Sequence, residues 1–217
     1  MNTKPKKMTP SEPINKKCSS NASPSNLLTL CQVEDKTTQK HIEQITNRLF
    51  GPGIDSVNRL PAMLNHLNSF LSQPKVFWPV FHAVWNACEV TWEYREELGK
   101  YIQLVQETGE SEDIHPKDYL TPEDKAAFES LPNRISIYRG CSLSKVYGYS
   151  WTTDRKIAER FARGFRGISV PNPVIASVCI PKKLALGYYT SRNESEVFID
   201  RCEIEKYSVT VTKFQRR

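Results

Sequence analysis

Three short segments in the C-terminal third of the chain carry residue types that could do chemistry together. The first is Tyr138-Arg139-Gly140, at the end of a strand-like run, where the glycine would permit close backbone approach. The second is residues 149–153 (YSWTT), which lead from an extended stretch into a helical one. The third is residues 193–200 (NESEVFID), in which Glu194 and Glu196 precede an apolar run. A fixed arginine can bind an anion, and carboxylates can stabilise positive charge or accept a proton.

Together these segments resemble the Arg–Ser–Glu class of ADP-ribosyltransferases, the bacterial and phage type of mono-ADP-ribosyltransferase that carries a Glu-x-Glu pair. In that family an arginine ends the first strand, a Ser-x-[Ser/Thr] element follows, and Glu-x-Glu stands where a later strand begins. The match covers about residues 131–212 in the same order, with Ser-Trp-Thr where the family has Ser-Thr-Ser. The related diphtheria-toxin-like class has a histidine in place of Arg139, so that class is excluded.

The resemblance implies NAD⁺ as co-substrate, no metal, and four residues in catalytic roles. Arg139 would hold the pyrophosphate, because a planar guanidinium suits it better than a mobile lysine. Glu196 would stand beside the ribose and stabilise the oxocarbenium ion that develops as nicotinamide leaves. Ser150 would hydrogen-bond Glu196 and fix its rotamer. Glu194 would orient or deprotonate the acceptor.

Further contacts to the substrates are expected around the same segments. The predicted NAD⁺-binding residues are Arg139, Gly140, Ser150, Trp151, Thr152 and Phe165. In the family, a loop that corresponds to residues 184–192 recognises the acceptor, so Tyr188 or Tyr189 could stack on a guanidinium or a base. If the chain is extended through Glu194 and Glu196, residues i and i+2 project to the same side and both carboxylates face one cleft.

Each of these residues also has an ordinary structural interpretation. An isolated arginine is more often part of a surface salt bridge, and two glutamates in a polar loop are commonly solvated. A non-catalytic interaction module on the same fold would fit those interpretations. Loss of Arg139, Ser150 or Glu196 would favour such a module, and all three are present.

The acceptor is the point on which the sequence gives two answers. Residues 131–217 contain sixteen Lys and Arg against seven Asp and Glu, a net charge of +9, whereas residues 31–130 have a net charge of −7. The basic third favours RNA or DNA as acceptor, because phosphate attraction is strong and independent of sequence. In the family, however, Glu-x-Glu often accompanies arginine modification, so we rank a protein acceptor slightly ahead. Water, giving NAD⁺ hydrolysis, is a further alternative.

The resemblance also implies a biological setting, that of a toxin or a phage or host-conflict effector. An inhibitory or regulatory protein partner is possible in that setting. No run reaches the ~18 to 20 apolar residues of a membrane span, and no apolar stretch follows the N-terminal lysines as in a secretory signal. The six cysteines lie far apart, without a CxxC pair, and are interpreted as reduced thiols. We therefore expect a cytoplasmic protein without a membrane partner.

These residues must be positioned by helices and strands, and the secondary-structure pattern of the sequence predicts an α+β fold. With the resemblance, it implies a helical N-terminal region packed on a mixed or antiparallel-sheet ADP-ribosyltransferase domain. Residues 1–33 are predicted to be a disordered basic tail, residues 34–130 helical, and residues 131–217 the catalytic domain. Trp78, Trp85 and Trp92 recur every seven residues, which indicates packing against the catalytic domain rather than a ligand platform.

Local signals refine the C-terminal domain. Strands are expected over residues 135–138, 173–180, 196–200 and 204–211, with an extended stretch over 149–153. Thr153 is predicted to cap a helix whose Ile157 and Phe161 face inward. The chain has neither a GxGxxG nor a GxxxxGK[ST] loop, so Rossmann and P-loop nucleotide binding are excluded.

Overall fold

The computed structural model describes residues 35–66, 73–164 and 169–215. The predicted tail over residues 1–33 and the predicted NAD⁺ contact Phe165 lie outside the described residues. Within the described ranges the chain forms seven α-helices: α1 (Lys36–Leu49), α2 (Arg59–His66), α3 (Pro74–Ala87), α4 (Arg95–Ser111), α5 (Pro122–Ser130), α6 (Arg155–Arg163) and α7 (Arg201–Glu205). It also forms six strands: β1 (Arg134–Ser142), β2 (Ser150–Thr152), β3 (Pro173–Pro181), β4 (Ala185–Tyr189), β5 (Glu196–Ile199) and β6 (Thr210–Lys213).

The six strands form one sheet in the order β4-β5-β2-β1-β3-β6, and all neighbours are antiparallel. The fold is therefore α+β with an antiparallel sheet, as predicted. Strand β2 lies between β1 and β5, and Thr152 pairs with Tyr138 on one side and Glu196 on the other. Because neighbouring strands are about 4.8 Å apart, β1 and β5 lie about 10 Å apart across this row.

Two helix starts and ends follow the sequence signals. Asp35 caps α1 by accepting hydrogen bonds from the backbone N–H groups of Thr37 and Thr38. Thr121 caps α5 by accepting from the N–H of Asp124 at 3.1 Å, and that helix ends before Leu131. Both helices lie within residues 34–130, which were predicted to be helical.

The helical region and the sheet share one continuous hydrophobic core. Phe198 of β5 is the contact point, with ring centroids 4.9 Å from Phe81 and 4.5 Å from Trp85 of α3. Trp78 and Trp85 are buried in this core, as their helical spacing predicted. Trp92 does not continue the stripe, because α3 ends at Ala87 and Trp92 lies before α4.

Four local predictions in the C-terminal domain are wrong. The expected strand over residues 204–211 is replaced by the end of α7, which Asp200 caps, followed by β6. The segment of residues 184–192 was expected to be a loop, yet it contains β4. Asp154 rather than Thr153 caps α6, since its carboxylate accepts from the N–H of Lys156 at 2.7 Å. Phe161 is 37% exposed instead of facing inward.

The described part of the chain also bears on the membrane and cysteine predictions. None of its helices combines the length and the apolar character that crossing a bilayer demands. The four cysteines within it, Cys88, Cys141, Cys179 and Cys202, are free thiols, as expected.

Candidate active site

The three motif segments meet at one cavity of about 370 Å³, a volume within the range of small-molecule sites. Every described residue that the sequence nominated for catalysis or NAD⁺ binding lines this cavity: Arg139, Gly140, Ser150, Trp151, Thr152, Glu194 and Glu196. Residues more than fifty positions apart in sequence are therefore brought together by the pairing of β1, β2 and β5.

One wall of the cavity comes from the helical region. Trp85, Cys88, Glu89 and Thr91 line it from the end of α3 and the connection to α4. The cavity thus extends beyond residues 131–217, to which the sequence assigned the catalytic domain. Sequence analysis missed these residues because Trp85 and Cys88 carry only the spacing of core positions.

Arg139 is oriented by main-chain carbonyl groups. Its Nε donates to the carbonyl oxygen of Lys145 at 3.1 Å, and its Nη1 donates to that of Ser150 at 2.5 Å. A Cβ on Gly148 would come within 2.6 Å of Nη2, so this glycine lets the guanidinium lie flat against the loop. Burial lowers the pKa of Arg139, but an arginine still keeps its charge at any ordinary pH. These carbonyl groups therefore hold Arg139 of β1 as a fixed cation that has further N–H donors.

Glu196 begins β5 and is 95% buried, and each of its two carboxylate oxygens has a partner. Nε1 of Trp85 donates to Oε1 at 3.0 Å, and Nη2 of Arg192 contacts Oε2 at 3.4 Å. Within the described residues no hydrogen bond joins Ser150 to Glu196, so the predicted partner is wrong. Ser150 pairs with Phe198 in the β2–β5 ladder, two residues beyond Glu196, and Trp85 takes the positioning role instead.

Thr152 has a clear positioning function in the Ser-Trp-Thr element. Its hydroxyl donates to the carbonyl oxygen of Glu194 at 2.6 Å and accepts from the N–H of Asp154 at 3.1 Å. The backbone N–H of Thr153 donates to the carbonyl oxygen of Ser195 at 3.1 Å. These bonds tie the Glu-x-Glu loop to the end of β2, so the third residue of the element fixes the loop rather than a ligand.

Glu194 and Glu196 do face one cavity, but not because the chain is extended. Ser195, between them, has a φ of 46°, and Asn193 has a φ of 52°. Both lie in the left-handed region, which costs a non-glycine residue of order 1 kcal/mol or more. A turn with strained residues therefore aims the two carboxylates at the same space, and the i, i+2 argument gave the right outcome for the wrong reason.

Arg192 is a further cavity residue that sequence analysis did not nominate. Its Nε lies 3.5 Å from Oε2 of Glu194, and its Nη2 lies 3.4 Å from Oε2 of Glu196. One guanidinium thus bridges the two carboxylates of the Glu-x-Glu motif. The sequence offered one usable signal, since Arg192 stands two residues before Glu194 in the same polar loop.

Two of the predicted NAD⁺ contacts, Gly140 and Trp151, have roles in packing and in supporting a loop. A Cβ on Gly140 would lie 1.7 Å from the carbonyl oxygen of Ala158, so this glycine lets α6 pack directly on β1. The backbone that approaches Gly140 is thus that of a helix, which corrects our expectation of a ligand there. Trp151 is 2% exposed and its Nε1 donates to the carbonyl oxygen of Gly148 at 2.8 Å, so it supports the loop that holds Arg139.

The two tyrosines expected to meet the acceptor are buried in β4. Tyr189 is 2% exposed, and its hydroxyl lies 2.7 Å from Nδ1 of His82. Tyr188 is 7% exposed, with its hydroxyl 3.3 Å from that of Thr153. Rings held this way cannot stack on an incoming group, so the predicted aromatic recognition of the acceptor is wrong.

A thiol also lines the cavity, but it is not a nucleophile. Burial, followed by the nearby charge of Glu196, raises the pKa of Cys88 to about 12. Because the thiolate is the reactive form, Cys88 stays inert at neutral pH. Among the described ranges, no three His, Cys, Asp or Glu side chains come together as a metal-ligand group. The charged groups that line the cavity are Arg139, Arg192, Glu194 and Glu196, together with Glu89 on the helical wall.

Comparisons of the chain with protein-family models, with curated proteins and with solved structures find no match.

Proposed function

We propose that this protein is a mono-ADP-ribosyltransferase, which transfers ADP-ribose from NAD⁺ to a macromolecule. The single observation that carries the proposal is the convergence of Arg139, Ser150, Glu194 and Glu196 on one cavity. These residues were nominated from motif resemblance alone, and motifs that matched by chance would have no reason to line a common space. The antiparallel sheet that brings them together supports an ADP-ribosyltransferase fold.

The charges in the cavity suit the two ends of NAD⁺. Arg139, with donors beyond the two that the loop uses, would bind the pyrophosphate. Glu196 would face the nicotinamide-bearing ribose, where its carboxylate accepts a bond from a ribose hydroxyl and stabilises the oxocarbenium ion. Trp85 would keep Oε1 in place, so that the carboxylate does not reorganise as charge develops. The Ser150 hydroxyl, which has no hydrogen-bond partner among the described residues, would donate to the sugar.

Glu194 favours a guanidinium as the acceptor group. Its carboxylate is beside that of Glu196, and the one described cation that contacts both is the guanidinium of Arg192. A site that already holds a planar cation between two carboxylates is suited to an arginine side chain of a target protein. The burial of Tyr188 and Tyr189 leaves neither ring available for a nucleic-acid base to stack on. We therefore infer a protein acceptor modified on arginine.

The test is incubation of the full chain with radiolabelled NAD⁺ and separate pools of protein, RNA and DNA. Label should enter the protein pool, and nicotinamide should be released in equal amount. The matched control is Glu196→Gln, which keeps the shape of the side chain and an oxygen that accepts from Trp85. Loss of the charge should lower the rate by about 100-fold or more.

Three outcomes would contradict parts of this proposal. Label in the RNA or DNA pool alone would make a nucleic acid the acceptor. Nicotinamide release without label in any pool would make the protein a hydrolase of NAD⁺. No nicotinamide release would leave the fold as a non-catalytic interaction module. Apart from these outcomes, a Glu196→Gln variant as active as the wild type would show that Glu196 is not the catalytic carboxylate.

A further inference from the structure

The cavity contains an arginine of the chain itself at the position where an acceptor would be expected. Arg192 lies 3.5 Å from Glu194 and 3.4 Å from Glu196, measured between guanidinium nitrogen and carboxylate oxygen. Its side chain remains 28% exposed, whereas those of the two glutamates are 13% and 7% exposed. The guanidinium therefore lies at the open side of the carboxylate pair, within reach of a molecule in the cavity.

The loop between β4 and β5 is built to bring Arg192 back over Glu196. In an extended chain, residues four apart are separated by about 13 Å. Here Asn193 and Ser195 adopt left-handed backbone conformations, and the N–H of Asn193 donates to the carbonyl oxygen of Thr190 at 3.0 Å. The resulting turn converts the four-residue separation into an ion pair.

Contacts at both ends hold this turn in place. At its start, the backbone N–H and the hydroxyl of Thr190 both donate to Oδ1 of Asp124 at 2.9 Å. At its end, Thr152 and Thr153 bind the carbonyl oxygens of Glu194 and Ser195. The backbone position of Arg192 is thus fixed by hydrogen bonds at both ends of the turn.

From this geometry we propose that Arg192 is itself an acceptor, modified within the same molecule; this rests on the proposed transferase function. Nη2 of Arg192 attacks the anomeric carbon of the ribose, and the bond from that carbon to the nicotinamide nitrogen breaks. The bonding electron pair leaves with nicotinamide, which departs as a neutral molecule. The proton lost from the guanidinium passes to the carboxylate of Glu194. The products are ADP-ribosylated Arg192, nicotinamide and, after release from Glu194, one proton.

Self-modification would also limit the enzyme. An ADP-ribose attached to Arg192 stays beside Glu194 and Glu196, where it covers the carboxylate pair that a second acceptor needs. The chain would then label itself no more than once at this position, and its transfer to other molecules would fall as the modification accumulates.

The test uses the full wild-type chain, incubated alone with radiolabelled NAD⁺ and then mapped by peptide mass spectrometry. The label should lie on the peptide that contains residue 192. The fraction labelled per unit time should stay constant over a 100-fold dilution of the protein, because the reaction is intramolecular. A label found elsewhere, or a rate that falls in proportion to dilution, would overturn the proposal.

Two variants and one soluble acceptor separate this proposal from the function on which it rests. Arg192→Lys keeps the positive charge but removes the guanidinium, and should lower self-labelling at least tenfold. Arg201→Lys is the matched control. Arg201 forms an ion pair with Glu96 at 2.6 Å, and neither residue lines the cavity, so this variant should leave the label unchanged. If the wild type modifies a soluble guanidine such as agmatine but not itself, Arg192 is not an acceptor and the proposed function stands. If neither is modified and no nicotinamide is released, both proposals fall.

Discussion

The two walls of the cavity are made from different parts of the chain and contribute different kinds of group. The sheet wall holds four charged residues: Arg139, Arg192, Glu194 and Glu196. The helical wall contributes an indole N–H from Trp85 and a protonated thiol from Cys88. The sheet wall therefore carries four of the five charged side chains that line the cavity, and the helical wall adds Glu89 and the neutral groups of Trp85 and Cys88.

This difference between the two walls shows how a small protein keeps charged groups partly buried. A buried charge is costly unless its hydrogen bonds are satisfied, and strand ends with tight turns offer fixed carbonyl oxygens for that purpose. Arg139 is held by two main-chain carbonyls, whereas Glu196 is held by two side chains. We expect the arginine end of the site to be rigid and the glutamate end to be adjustable.

The largest effect is expected where the sheet meets α6. Gly140→Ala would place a Cβ 1.7 Å from a backbone oxygen of Ala158, so the helix must move away from β1. The free energy of unfolding should fall by about 3 kcal/mol or more, or roughly 10 °C in melting temperature. Thermal unfolding measures this. An unchanged melting temperature would mean that α6 is not packed on Gly140 and that the sheet wall is less rigid than described.

A similar effect is expected on the helical side at acid pH. Nε2 of His82 lies 2.8 Å from the carbonyl oxygen of Pro116, which can only accept, so Nδ1 must accept from Tyr189. Burial lowers the pKa of His82 to about 4, whereas an unfolded histidine has a pKa near 6.5. Between these values the unfolded chain binds the extra proton. Stability should therefore fall as the pH drops from 6.5 to 4, by about 3 kcal/mol in total.

The check is denaturant unfolding across that pH range in the wild type and in His82→Gln. The glutamine stays neutral, so the difference between the two curves should shrink as the pH falls through this window. Parallel curves would show that His82 does not titrate with unfolding and that the contact between α3 and β4 has another basis.

The arginine end of the site is tested by Arg139→Lys. A lysine cannot donate to both Lys145 and Ser150 while it also binds a pyrophosphate, so the KM for NAD⁺ should rise by about 30-fold, or ~2 kcal/mol. Arg134→Lys is the matched control, because Arg134 is on the same strand and donates to the carbonyl oxygen of Cys179 at 3.3 Å on the exposed surface. Calorimetric NAD⁺ affinity that is equal in the two variants would remove Arg139 from the site.

The smallest effect is expected at the indole of α3. Trp85→Phe keeps the aromatic contact with Phe198 but removes the donor to Glu196, so kcat should fall about tenfold. Trp78→Phe is the control, since Nε1 of Trp78 is buried with no hydrogen-bond partner in the described part of the chain, and its loss should not change kcat. Equal kcat in both variants would mean that Trp85 contributes to packing and that its hydrogen bond to Glu196 does not affect catalysis.

The sequence predicted the residues of the site better than the reasons for which they are there. Gly140, Thr152 and the Glu-x-Glu pair all line the cavity, yet Gly140 admits a helix and Thr152 binds a loop carbonyl. Trp85 was interpreted as a core residue, and its bond to Glu196 spans 111 positions of sequence. No local pattern contains a contact of that kind, because it exists only when α3 packs on β5.

What the sequence determined by itself is the set of elements with strong local signals. Periodicity predicted a helical region over residues 34–130, and β-branched runs predicted β3 and β5, because those preferences depend on neighbours along the chain. Only the tertiary structure decided that residues 185–189 form a strand, that the 204–211 segment begins as a helix, and that Arg192 bridges two carboxylates. Each of these depends on pairing or burial against distant residues, whose free energy exceeds the small local preference of a short segment.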